Sequence, residues 1–292
     1  MCSAGTGWQG AGMTTETFEV ARPDGTVLAG VRRRREGAPV VVFLHAGVAD
    51  LRSWEAVLDE LDGDELDLVA YDRRGYGGTP GTDAAFSHLD DLVAVLDAVG
   101  ADRAVVVGNS MGGGLALDVA LTAPARVASL LLIGSAVSGM TDEGEDIAWE
   151  ADAATGAIVG ALEKAEQAHD VDEAARLEAH LWLDGPTAPE GRVGGAAREL
   201  ALDMNRRILS AGTQGNAGGT DLDAWHRLGE ITAPALVTWG DLDLPPDLPF
   251  YALTADRLPN ATGRVLEGVA HMPSLERPGL VADLVREAVA LA

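Results

Sequence analysis

The pentapeptide Gly108-Asn109-Ser110-Met111-Gly112 constrains this chain more than any other segment. It follows the apolar run Ala104-Val105-Val106-Val107 and precedes the run Gly113-Gly114-Leu115-Ala116-Leu117. The pattern predicts a strand, a sharp turn and a helix, with the serine at the apex. Gly108 and Gly112 give strand and helix the steric room to pass closely at so tight a turn. A serine hydroxyl is a poor nucleophile in a solvated loop. At such an elbow it is held clear of its own backbone. The following N–H groups and the helix N-terminus then face any oxyanion formed on a bound carbonyl. G-x-S-x-G also occurs without function, so the remainder of the chain must supply a base and an acid.

Near the C-terminus, Gly268-Val269-Ala270-His271-Met272-Pro273 follows the short extended run Gly263-Arg264-Val265-Leu266. A histidine just past a strand end, in a Gly-flanked loop, is well placed to point into a cleft. Upstream, the apolar run Ala235-Leu236-Val237-Thr238-Trp239 ends in Gly240-Asp241-Leu242-Asp243. Either aspartate also suits a local turn. Ser110, an aspartate and His271 thus occur in the order nucleophile, acid, histidine, each at a strand end. Two further strand ends carry informative turns. Val40-Val41-Val42-Phe43-Leu44 leads into His45-Ala46-Gly47, a turn able to aim a backbone N–H at an oxyanion. Leu68-Val69-Ala70 leads into Tyr71-Asp72-Arg73-Arg74-Gly75-Tyr76-Gly77.

Along the chain, Thr17 to Val20 and Val27 to Arg34 flank the turn Pro23-Asp24-Gly25 and predict an antiparallel hairpin. Strands and helical patterns then alternate. Strands are expected at Val40 to Leu44, Leu68 to Tyr71, Ala104 to Val107 and Val127 to Ile133. Helices are expected near Trp54 to Leu61, Leu89 to Val99 and Gly113 to Leu121, the last stopped by Pro124. This alternation predicts parallel strands with crossover helices. The continuous apolar strands predict a sheet covered on both faces. From about Ser135 to Glu230 the pattern turns helical and acidic, with helices near Glu150 to His169 and Glu173 to Leu183. Gly191 to Gly195 and Gly212 to Gly219 interrupt it.

The motifs together resemble the α/β-hydrolase-fold serine hydrolases of the esterase, lactonase and C–C hydrolase group, over residues 17 to 292. The resemblance implies an α/β fold: a mostly parallel eight-stranded sheet with helices on both faces and a helical lid inserted after strand 6. The core would comprise residues 15–137 and 231–292, the lid residues 138–230, and residues 1–14 a disordered start, with Met1 or Met13 as initiator. Ser110 would be the nucleophile, His271 the general base and Asp243 the orienting acid, since the family's acid holds the fourth position of a Gly-x-x-Asp turn. Gly47 and Met111 would supply the oxyanion-hole N–H groups. The lid would set substrate shape and water access while the motif residues lie outside it, so its removal should spare their geometry. Its Trp149, Trp182 and Trp225 either line an acyl pocket or pack lid onto body.

The chain has 292 residues, enough for one large domain with an insertion. Lys plus Arg total 21 and Asp plus Glu 46, a net charge of −25 that disfavours nucleic acid and anionic membrane surfaces. The run Arg32 to Arg35 therefore reads as a solvated strand end rather than an anion site. Cys2 is the one cysteine, so no intrachain disulfide forms. With no signal-peptide pattern and no membrane-length apolar run, a cytoplasmic setting is expected. There is no phosphate loop, and His169, His180 and His226 lack metal-site spacing, so no cofactor or metal is expected and the partner is a small-molecule substrate. The leading function is cleavage of a small, largely apolar ester or lactone through an acyl-enzyme. C–C hydrolysis of a vinylogous diketone acid on the same residues is the alternative. Epoxide hydrolases and haloalkane dehalogenases of this fold need a carboxylate at the elbow, where this chain has Ser110. A non-catalytic binding protein on a hydrolase scaffold is a third class, which need not keep Ser110, Asp243 and His271 together.

Overall fold

The computed structural model describes residues 14–140, 150–211 and 222–292. Strands β1 (Thr15–Ala21) and β2 (Val27–Arg33) form the antiparallel hairpin, and β3 (Val40–Leu44) begins the parallel part. Then follow α1 (Glu55–Glu60), β4 (Asp67–Tyr71), α2 (His88–Ala98), β5 (Ala104–Asn109), α3 (Met111–Thr122) and β6 (Val127–Ile133). An insertion carries α4 (Ala153–Gln167), α5 (Val171–Glu178), a π-helical turn at Ala179–Asp184 and α6 (Gly195–Ala211). After the short α7 (Ala224–Arg227) come β7 (Ala235–Gly240), α8 (Leu248–Arg257), β8 (Ala261–Leu266), α9 (Pro273–Glu276) and α10 (Pro278–Ala290). The eight strands lie in the order β1-β2-β4-β3-β5-β6-β7-β8, and every pairing from β4 to β8 is parallel.

Two apolar layers follow from the period of two along each strand. Val42, Leu44, Val106, Leu130, Leu132 and Val237 face α2, α3 and α8 on one side. Val41, Phe43, Val105, Val107, Leu131 and Leu236 face α1 and α10 on the other. The sheet is therefore buried on both faces, as its central strands predict. Edge strand β8 departs from that expectation, with Thr262, Gly263 and Val265 exposed.

The helices start where short acceptor side chains can cap them. Ser87 accepts from Asp90 N–H at 3.2 Å to start α2, and Asp152 accepts from Ala154 N–H at 2.8 Å to start α4. Asp170 does the same for α5 through Glu173 N–H, at 3.1 Å. Helix α6 adds to the expected pattern. Its Ala201 and Met204 are buried one turn apart, although glycines at its start mask the helical period.

The arginine run is less solvated than its sequence suggests. Arg32 makes a bidentate pair with Asp67 at 2.8 and 2.6 Å, buried Arg33 pairs with Asp59, and Arg35 reaches Glu65 at 2.9 Å. Its charges are largely used in crosslinking β2 to its neighbours. No helix among the described residues is long and apolar enough to cross a membrane.

Candidate active site

The turn between β5 and α3 holds Ser110 at φ 55° and ψ −121°, a conformation that costs a non-glycine residue roughly 1–3 kcal/mol. Its surroundings impose it. A Cβ on Gly108 would lie 2.4 Å from the Gly112 carbonyl oxygen, and one on Gly112 would lie 2.2 Å from that of Leu44. Ser110 N–H donates to the Ile133 carbonyl at 2.9 Å, which fixes the elbow to β6. Serine is a favoured helix cap, yet the Ser110 side chain makes no capping hydrogen bond. Instead the residue lines a cavity of about 190 Å³, with His271, Trp182, Phe250, Tyr251 and Asp247 among its walls.

His271 follows β8 and is buried, with Nδ1 2.7 Å from Oδ2 of Asp243. The other Asp243 oxygen accepts Leu244 N–H at 2.8 Å. The acid and histidine loops are zipped together: Asp241 N–H donates to Leu266 at 3.1 Å and Leu242 N–H to Val269 at 3.0 Å. Gly240 permits this approach, since a Cβ there would lie 2.1 Å from the Val269 carbonyl oxygen. The exposed Asp241 instead accepts Gly268 N–H at 2.7 Å. Of the two aspartates, the structure thus brings Asp243 to His271 and leaves Asp241 in the turn.

Burial works against a charged imidazole at His271. The charge and hydrogen bond of Asp243, with the more distant charge of Asp247, outweigh it and raise the histidine pKa above its ordinary value. The Tyr251 phenol feels the charge of those same two carboxylates. Burial and both negative charges push its pKa well up, so the hydroxyl stays protonated.

Gly47 and Met111 lie side by side at the mouth of the elbow. A Cβ on Gly47 would meet the Met111 sulfur at 2.6 Å. Met111 opens α3, and an N–H in a first helical turn has no acceptor within its own helix. The loop carrying Gly47 is anchored by His45, whose Nε2 accepts Arg73 N–H at 3.0 Å while Nδ1 faces the Ala46 carbonyl at 2.8 Å. Burial and the Arg73 charge hold its pKa well below the ordinary value, so this histidine is a neutral structural brace.

Several further residues shape the site. Asn109 Nδ2 donates to the Ile133 and His271 carbonyls at 2.9 and 3.1 Å and ties elbow to histidine loop. Gly134, at φ 49°, roofs the histidine–aspartate bond: a Cβ there would lie 3.0 Å from both Asp243 Oδ2 and His271 Nδ1. Tyr251 and Trp182 reach the cavity from α8 and from the π-helical turn. Trp225 is core, its ring 6.1 Å from that of Phe250, and Trp149 lies outside the described residues. Among the described residues no group of three or more His, Cys, Asp or Glu could hold a metal ion.

Gly134→Ala is therefore expected to force a Cβ onto the histidine–aspartate pair in a backbone region hostile to alanine. The loss of stability should be about 1–3 kcal/mol in denaturant unfolding, and the low-field His271 Nδ1 proton resonance should move as its bond lengthens. Unchanged stability with an unchanged resonance would contradict this packing.

Comparisons with known proteins place this geometry. Residues 39–278 match the family described as alpha/beta hydrolase fold. The chain is 29% identical over 254 residues to the dihydrolipoyllysine-residue acetyltransferase component of an acetoin cleaving system from Cupriavidus necator, covering 84% of this chain and 62% of that protein. It is 40% identical over 108 residues to a 2-hydroxymuconate semialdehyde hydrolase from a Pseudomonas species, covering 35% of this chain and 38% of that protein. The matches thus span less than two thirds of either relative. Among solved structures, Est816, an N-acyl homoserine lactone degrading enzyme, superposes with a TM-score of 0.69 at 27% identity, covering 92% of this chain and 99% of that one. The Rhodococcus esterase RhEst1 superposes with a TM-score of 0.72 at 25% identity, covering 94% and 98%. With the eight-stranded sheet, the serine elbow and a family match spanning most of its length, this chain belongs to the alpha/beta hydrolase fold family of enzymes.

Proposed function

We propose that this protein is a serine hydrolase that cleaves a small, largely apolar ester or lactone through an acyl-enzyme on Ser110. The observation that carries the reading is one small cavity onto which both the strained, uncapped Ser110 and the Asp243-paired His271 open. In this reading Ser110 Oγ attacks the carbonyl carbon as His271 Nε2 takes its proton. The carbonyl oxygen becomes an oxyanion held by the N–H groups of Met111 and Gly47. The imidazolium returns its proton to the leaving alkoxide, which departs. Water, deprotonated by the same histidine, then releases the acid and regenerates Ser110. Asp243 fixes the tautomer and supports the positive charge. The core formed by residues 15–137 and 231–292 would carry this machinery, with residues 138–230 roofing it as a lid.

The walls of the cavity support this substrate class. Trp182, Phe250, Tyr251 and Met140 are apolar surfaces, and about 190 Å³ suits a short acyl group rather than a drug-sized ligand. The Est816 and RhEst1 likenesses support lactone and ester cleavage. The partial identity to the hydroxymuconate semialdehyde hydrolase favours a second reading, C–C hydrolysis of a diketone acid. Against it, no Arg or Lys lines the cavity among the described residues, while Asp247 does. Initial rates on aryl acetates, butyrates, small lactones and a vinylogous diketone acid separate the two. The uncharged substrates should have kcat/KM about a hundredfold or more above the acid, since a like charge facing the Asp247 carboxylate across the cavity is disfavoured. The reverse ranking would favour the C–C hydrolase.

A further inference from the structure

The helical insertion does more than cover the cavity. Its π-helical turn ends against the histidine loop: Trp182 carbonyl oxygen accepts His271 N–H at 3.1 Å, and the indole lies on the imidazole with ring centroids 4.6 Å apart and planes at 48°. A carbonyl in the last turn of a helix has no donor within that helix, so His271 N–H satisfies a group that would otherwise be orphaned. Turns of π type are rare and recur at functional sites. This one places the negative end of a helix, continuous from α5, at the residue that must become positively charged in the proposed reaction.

The turn that carries the indole is itself fixed. Arg192 straps the turn to the histidine loop. Its guanidinium donates to the Leu183 and Asp184 carbonyls at 2.9 and 2.7 Å and to the Gly268 carbonyl at 3.2 Å. It also pairs at 2.6 Å with Glu276, whose other oxygen accepts Ala270 N–H at 2.8 Å. Gly185 closes the strap on the acid loop, where a Cβ would lie 2.2 Å from the Leu242 carbonyl oxygen. Insertion, acid loop and histidine loop thus form one locked unit. Removal of residues 138–230, expected from the sequence to spare the motif residues, would take a backbone partner of His271 away with them.

We propose that Trp182 is a positioning residue for His271, clamping the imidazole from its backbone and its face and stabilising the imidazolium through the indole π surface. The proposal rests on His271 acting as general base. An aromatic face within about 6 Å of a desolvated cation stabilises it, most strongly for Trp. The other charged groups acting on His271 are Asp243 and Asp247, and the same two carboxylates act on the Tyr251 hydroxyl. All three remain in Trp182 variants.

The test is the rate of fluorophosphonate labelling of Ser110 against pH in the full-length wild type, Trp182→Phe and Trp182→Leu, with folding checked by circular dichroism. Leucine keeps the site dry but removes the π face. Its inflection should fall by about half to one pH unit, and its plateau rate should fall about tenfold as the imidazole loosens. Phenylalanine should lie between leucine and wild type in both. An unchanged inflection in the variants would overturn the proposal. So would a rise, the sign expected if the indole merely excludes water that would otherwise solvate the cation. Should Trp182→Leu not fold, Trp182→Phe alone decides, by a downward shift of His271 in an NMR titration or none. Failure of the serine-hydrolase reading would look different: the wild type itself would not be labelled at Ser110, or His271→Ala would be labelled as fast.

Discussion

Ser110→Ala is expected to lower kcat/KM on an activated ester by on the order of ten-thousandfold or more, with folding unaffected. In the proposed mechanism the size of the loss follows from losing the covalent route: without Oγ no acyl-enzyme would form, and only binding and the oxyanion N–H groups would remain. The fold should tolerate the change because the Ser110 side chain makes no capping bond and opens onto a cavity. The strained backbone is imposed by neighbours that alanine leaves in place, including Gly112 packed on Leu44 and Ser110 N–H bonded to Ile133. Initial rates with a matched thermal melt check both halves. Turnover within tenfold of wild type would remove Ser110 from the mechanism.

The second large effect separates two aspartates in one turn. Asp243→Asn should cost about four orders of magnitude in kcat, because an amide opposite Nδ1 can select the wrong tautomer and carries no charge to support the imidazolium. Asp241→Asn should cost activity little and stability about 1 kcal/mol, since its carboxylate accepts one exposed bond from Gly268 N–H. The pH dependence has a definite sign. In the proposed mechanism His271 works as the neutral base, so kcat/KM should rise as pH passes upward through its pKa and level off above it. Asp243 raises that pKa. The residual activity of Asp243→Asn should therefore reach its plateau at lower pH than wild type. A dead Asp241→Asn beside an active Asp243→Asn would reverse the assignment.

The parts of this site that the sequence makes legible are those built by local sterics. The elbow is one, because a side chain at Gly108 would strike the backbone of Gly112, four residues on. The acid turn is another, since Asp243 lies three residues after Gly240, the last residue of β7. Central strands are legible because a sheet buried on both faces requires unbroken apolar runs. What stays hidden is convergence. Gly134 is an ordinary turn glycine until β6 brings it against a histidine and an aspartate from two other loops. Trp182 reads as any lid tryptophan until the π turn lays it on His271. The arginine run misleads for the same reason: Asp59, Asp67 and Glu65 meet it only once β2 and β4 pair.

The most direct measurement of the central claim is the mass of the protein and of its tryptic peptides after reaction with a fluorophosphonate. The account predicts a single stoichiometric adduct on the peptide containing Ser110, absent in Ser110→Ala and formed far more slowly in His271→Ala. An adduct on another residue, or equal labelling of the Ser110→Ala variant, would contradict it.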